Sequence, residues 1–194
     1  MPHKFDVKDV EILESPERLQ FLNPDVILDK VDLRREMIIA DLGCGTGYFT
    51  IPASKSVKKA YALDVQQGML NILRDKIEKQ KISNIQAILS EESHIPLPDN
   101  SVDVLIMGNV FHELEDRDSI LNEVKRILSA EGKLVIVDWL KIEMDFGPPF
   151  EERLTAEEVI SICEHNGFEV CEQSDAGLYN YLLIFGQKRE ITRR

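Results

Sequence analysis

No stretch of this 194-residue chain approaches the roughly 20 consecutive apolar residues that a membrane-crossing helix needs, which argues against a membrane partner. The opening residues, MPHKFDVKDVEILES, carry charges throughout and no apolar core. They do not read as a secretion signal, and the chain is expected in the cytoplasm. Cysteine is scarce: Cys44, Cys163 and Cys171 form no CxxC pair and no metal-ligand spacing with histidine. That scatter excludes a disulfide framework, fits a reducing compartment and predicts no metal site. Positive charge is short as well, 23 Lys and Arg against 35 Asp and Glu, for a net charge of −12. So acidic a surface repels phosphate backbones and anionic membranes, and nucleic acid is not an expected partner. Repeats, low-complexity tracts and long linkers are missing too. What is present, 43% hydrophobic and 30% charged residues, is the composition of a folded globular protein of one domain.

Residues 1–35 read as a helical cap, with start signals at Ser15-Pro16-Glu17 and Asn23-Pro24-Asp25. From 36 to 188 strands and helices alternate. Strands are expected at Met37–Leu42, Lys59–Asp64, Ile85–Leu89, Val102–Gly108 and Lys133–Trp139, with Gly132 starting the last of these. Helical spacing runs through Gly47–Ser56, Gln66–Gln80 and Asp116–Ser129, and Thr155-Ala-Glu-Glu158 is a capping box opening a helix that stops at Asn166-Gly167. The rhythm then breaks: Phe168–Gln173 and Tyr179–Gly186 are two strands joined by a turn around Asp175-Ala176-Gly177, with no helix between. The pattern predicts an α/β fold, a doubly wound, Rossmann-like and mostly parallel seven-stranded sheet whose last strand is antiparallel.

The first strand runs into Asp41-Leu-Gly43-Cys-Gly45-Thr-Gly47-Tyr-Phe49. Glycines in a strand-to-helix turn let the backbone bend sharply and a ligand approach without a Cβ in the way. The helix start beyond them suits an anionic group on a nucleoside-like ligand. A dinucleotide-binding G-x-G-x-x-G loop would need glycine at position 48, which is Tyr48. About 20 residues on, at the end of the second strand, Asp64 is placed either to grip ribose hydroxyls or to cap the helix from Gln66.

DLGCGTGYF, YALDV, ILSEESHIPLPDNSVDVLIM and EVKRILSAEGKLVIVDW occur in that order, and together they resemble the class I S-adenosylmethionine-dependent methyltransferases. The resemblance covers about 37–186 and includes the terminal strand–turn–strand, an ending that doubly wound dehydrogenases lack. It implies S-adenosylmethionine as cofactor. Asp41 and the backbone at Gly43 would hold its cationic amino group, with Gly45 and Gly47 letting it pass close to the chain. Asp64 would bind the ribose and Val65 would lie against the adenine. Glu91 aligns with the acid that accepts from the adenine amino group. Relatives mostly carry Gly-Asp where this chain has Ser90-Glu91, and Glu92 is the alternative acid. Asn109, ending the fourth strand, would border the reacting methyl. Within the family, the motif set with the Gly147-Pro148-Pro149 loop is similar to small-molecule and quinone methylases.

In-line methyl displacement needs chiefly orientation, and a general base only when the acceptor is a poor nucleophile that carries a proton. His112, just past the fourth strand, is the candidate base; lining the crevice without chemistry and a purely structural pairing with Glu113 are the alternatives. Trp139 and the loop 146–150 could form an acceptor wall and lid, with Phe21 and Leu22 contributing from the cap. The expected activity is methyl transfer to a small-molecule acceptor. A cofactor-binding module without chemistry and a protein methyltransferase are the alternatives, and no oligomeric state is legible.

Overall fold

The computed structural model describes residues 17–188, together with Val10 and Ser15. The helix start expected at Ser15-Pro16 lies partly outside the described residues, as does the basic C-terminal stretch beyond Lys188. Within them, α1 (Arg18–Phe21) and α2 (Pro24–Val31) precede the sheet. Proline suits the first turn of α2 because its missing N–H would have no helical partner there, and Asn23 caps the helix by accepting from Asp25 N at 3.0 Å.

The strands β1 (Ile38–Leu42), β2 (Lys59–Asp64), β3 (Ile85–Leu89), β4 (Val102–Gly108), β5 (Leu128–Trp139), β6 (Phe168–Asp175) and β7 (Asn180–Gln187) form one sheet in the order β3-β2-β1-β4-β5-β7-β6. The pairs from β3 through β5 are parallel, and β7 runs antiparallel to both β5 and β6. Between them lie α3 (Thr50–Ser54), α4 (Gln67–Gln80), α5 (Arg117–Ile127) and α6 (Ala156–His165). The central strands are apolar on both faces because both are covered. Leu105, Met107, Leu134, Ile136, Leu183 and Phe185 pack on α5 and α6, while Val104, Ile106, Val135, Val137, Leu182 and Ile184 pack on α2 and α3.

Two elements depart from expectation. The helix after the glycine loop is only Thr50–Ser54, since Gly47 sits at φ +92° and Pro52 has no N–H to offer the carbonyl of Tyr48. β5 begins at Leu128, not Lys133: Leu128 pairs with Val102, the register then shifts, and Lys133 pairs with Val104. Residues 129–132 form the excursion between, where a Cβ on Gly132 would lie 2.8 Å from the Ser129 carbonyl oxygen.

The β6–β7 tip reaches the N-terminal cap. Leu178 N donates to Phe21 O at 3.2 Å, and Lys30 Nζ donates to Ser174 Oγ and Asp175 O at 3.0 Å each. Gly177, at φ +99°, lies so close that an added Cβ would fall 1.8 Å from Phe21 O. Gly177→Ala is therefore expected to destabilise by about 2 kcal/mol or more, read in a thermal melt as a Tm drop of about 4–8 °C. An unchanged melt would mean that the tip leaves the cap at no cost.

Candidate functional site

The strand order reverses between β1 and β4, so the loops leaving their carboxyl ends diverge and open a crevice. A cavity of about 870 Å³ lies there, lined from the glycine loop, the ends of β2, β3, β4 and β5, the cap and the 146–148 loop. That volume is at the upper end for small-molecule sites and admits a nucleoside-sized ligand beside a second small molecule.

Of the residues singled out in the sequence, Asp41, Gly43, Gly45, Asp64, Val65, Glu91, Glu92, Asn109 and His112 all line this cavity. Gly47 needs correcting. It is absent from the lining and backs onto α4, where an added Cβ would meet Leu73 Cδ1 at 2.6 Å. Its positive φ shapes the loop and its missing side chain seats α4. Gly43, also at positive φ, leaves room for Val110, whose Cγ2 would be 2.4 Å from a Cβ there.

Asp41 is buried beneath the loop and accepts from the Thr50 hydroxyl at 2.5 Å. Burial pushes its carboxyl up to about 7, Thr50 opposes the shift, and the neighbouring Asp64 adds to it. A carboxylate so placed favours a cation beside it. Asp64 accepts from Gly45 N and Gln66 N at 2.8 Å each, one on each oxygen. Both sequence readings of Asp64 thus meet in one side chain: it anchors the turn into α4 and also borders the cavity. Burial raises its pKa despite these backbone bonds. Val65, 40% exposed, offers an apolar face beside the buried Met69. Glu91 and Glu92 are exposed on the far side.

Asn109 follows β4 immediately at φ +60°, a left-handed conformation that few residues other than glycine adopt and that asparagine tolerates best. Its Oδ1 accepts from Nδ2 of Asn180, a fully buried residue at the start of β7. His112 follows in a single 3-10 turn, Phe111–Glu113. Its Nδ1 lies 2.7 Å from Asp138 Oδ1 and its backbone N donates to Asp138 Oδ2 at 3.0 Å. A carboxylate that collects backbone N–H groups is an acceptor, so Nδ1 carries the proton and Nε2 of the neutral ring presents a lone pair. Burial pulls the His112 pKa down, but Asp138, Glu113 and Glu152 together outweigh it and hold the ring above its ordinary value.

The wall beyond is aromatic. Phe146 packs against Tyr179 (centroids 4.8 Å apart), Phe21 (5.8 Å) and Trp139 (6.0 Å). The loop bearing Phe146 is held from below by buried Arg153, which donates to Pro148 O at 2.8 Å and Phe146 O at 3.0 Å, and also to Ile142 O. Leu22, expected beside Phe21 in the pocket, is instead fully buried in the core, where its carbonyl accepts from the Tyr48 hydroxyl.

Three features escaped the sequence reading. One is the pairing of Asp138, next to Trp139 on the crevice edge, with His112. The adjacency of β4 and β5 was the available signal, since it sets the residue after one strand beside the end of the other. Arg153 gave no local signal. The Ser90 hydroxyl is buried and has no hydrogen-bond partner among the described residues, which only tertiary packing reveals.

Comparison with known proteins agrees with this architecture. Residues 40–136 match the family model described as a methyltransferase domain. The crystal structure of a SAM-dependent methyltransferase from Aquifex aeolicus superposes with a TM-score of 0.89 at 36% identity, covering 94% of this chain and 98% of that one. Among curated proteins, the ubiquinone/menaquinone biosynthesis C-methyltransferase UbiE of Campylobacter jejuni is 28% identical over 118 residues, 57% of this chain and 48% of its own. The biotin biosynthesis bifunctional protein BioHC of Saccharophagus degradans is 33% identical over 98 residues, 50% of this chain and 17% of its own. The chain thus spans less than half the length of these two curated relatives.

Proposed function

Because this chain belongs to the class I S-adenosylmethionine-dependent methyltransferases, we propose that it methylates a small aromatic acceptor bearing an ionisable hydroxyl. The observation that carries this reading is the His112–Asp138 pair, 2.7 Å apart at the foot of an aromatic wall. A base is superfluous for a free amine or thiolate, whereas a phenol-like hydroxyl becomes a strong nucleophile, at oxygen or at a ring carbon, once its proton is taken. The UbiE relative, a C-methyltransferase of ubiquinone/menaquinone biosynthesis, is in keeping with such an acceptor.

The cofactor site fits its ligand on two observations: a buried carboxylate that favours a cation, Asp41, and an orphaned buried hydroxyl, Ser90. When bound, S-adenosylmethionine supplies a methyl group activated on a sulfonium. Asp41 and the backbone at Gly43 hold the amino-acid end, Gly45 gives close passage, Asp64 takes the ribose, and Val65 covers the purine with Glu91 or Glu92 at its edge. Asn109, fixed by Asn180, borders the reacting end. His112 Nε2 accepts the acceptor's hydroxyl proton while Asp138 stabilises the imidazolium that results. Phe146, Trp139 and Phe21 enclose the acceptor ring, and holding nucleophile and methyl in line can supply up to about 7–11 kcal/mol.

The test is transfer of a radiolabelled methyl from S-adenosylmethionine to a matched panel of hydroquinones, phenols, primary amines and carboxylic acids. Turnover is expected with the hydroxylated aromatics at least about 100-fold above the amines, the range a base supplies. Preference for amines or acids would overturn the acceptor reading.

A further inference from the structure

Ser90 follows β3 immediately, and its backbone N donates to Asp64 O at 3.0 Å, which seats it beside the ribose-side acid and level with Val65. It is 7% exposed, lines the cavity, and its Oγ has no hydrogen-bond partner among the described residues. A buried hydroxyl left unpaired costs about 1–3 kcal/mol, and here the position follows a strand that needs no polar side chain. Glu91 and Glu92, the acids that follow, are exposed, and hydrogen bonds they offer a ligand compete with water.

We propose that Ser90 is a specificity-determining residue for the cofactor: its hydroxyl donates a hydrogen bond to a nitrogen of the six-membered ring of the bound purine, N1 or N3, making the buried polar contact there in place of the exposed acids. This rests on the cofactor assignment and sharpens it. A serine hydroxyl reaches three staggered positions about χ1, so a small rotation turns it from the protein onto a ligand edge without backbone movement. The purine presents its ring nitrogens as acceptors in the plane of the base, and Val65 and Met69 supply the apolar surround in which one hydrogen bond discriminates well.

The experiment is isothermal titration with S-adenosylhomocysteine and its 1-deaza and 3-deaza analogues, in the parent protein, Ser90→Ala and Asp64→Ala, with melts of each ligand-free protein. Ser90→Ala is expected to weaken S-adenosylhomocysteine about 5–20-fold while leaving the ligand-free Tm equal or higher. Its effect should vanish with the analogue that lacks the contacted nitrogen. Unchanged affinity in Ser90→Ala, or losses additive with both analogues, would overturn the proposal. A ligand-free Tm lowered together with unchanged affinity would overturn it too, by making Ser90 structural. If the parent itself fails to bind S-adenosylhomocysteine, the cofactor reading fails instead. Asp64→Ala losing affinity equally for all three ligands reports the ribose end and serves as the internal reference.

Discussion

His112→Ala is expected to turn over a hydroxylated aromatic acceptor about 100- to 10,000-fold more slowly than the parent, with affinity for S-adenosylhomocysteine held within about twofold. The loss is expected on kcat because the ring acts on the acceptor's proton, while the proposed cofactor grip comes chiefly from the ends of β1, β2 and β3. The pH profile separates a base from a residue that merely packs. Only the neutral ring accepts a proton, so kcat/KM should fall as pH drops through the His112 pKa, which its carboxylate neighbours hold above 6.5. Asp138→Asn removes the largest of the raising influences and leaves burial, the largest single effect, to pull the pKa down. The acid limb should then move to lower pH even as the rate falls, because the ring loses the acceptor that fixes its tautomer. Full turnover by His112→Ala on the true acceptor, or a limb that stays in place in Asp138→Asn, would remove the base role.

Cofactor affinity should itself depend on pH, through Asp41. With its carboxyl raised to about 7 in the free protein, a substantial share is protonated near neutrality. A cationic amino group beside it favours the ionised form, so binding expels the proton. Affinity should weaken as pH falls, by up to about tenfold per pH unit below about 7, and level off above it. Titration in buffers of different ionisation enthalpy should register release of about half a proton per site at pH 7. Asp41→Asn should lower affinity at least about 100-fold at pH 8, as removal of one partner of a buried charge pair does. Its effect on the free protein has the opposite sign. A buried acid with a raised pKa stabilises the fold below its unfolded value near 3.8, and that contribution is lost as pH rises to about 7. Asp41→Asn should therefore melt several degrees higher than the parent at pH 8, free of ligand. Equal affinity at pH 6 and pH 8 would place the cation elsewhere.

The reach of the sequence differed from element to element for physical reasons. β2, β3 and β4 have the bounds that their runs indicated, because each is short and flanked by turn residues, although β3, at the sheet edge, is only half-buried. The capping box at Thr155 and Glu158 is present as read, since it needs only residues three apart. α3 was over-extended because periodicity registers apolar faces and not the missing N–H of Pro52. β5 was begun late because the 129–132 excursion looks like a helix end when its partner strand is unknown. At the site, the cavity-lining set was legible from strand ends and motifs. The linkage of His112 to Asp138, the orphaned Ser90 hydroxyl and the Arg153 brace were not, because each depends on which residues distant in the chain become neighbours.

The aromatic wall has a consequence for how such a protein diversifies. Phe21, Trp139, Phe146 and Tyr179 come from the cap, the end of β5, its outgoing loop and the turn before β7, and all lie outside the 40–136 segment shared with the methyltransferase-domain model. On the proposed reading, the recipient's aromatic enclosure and the glycine loop therefore occupy separable stretches of the chain, with His112 the one acceptor-side residue inside the shared segment. Mutation can redraw the recipient's chamber while the donor's loop stays intact, so descent from a common ancestor preserves the chemistry and leaves its target free to drift.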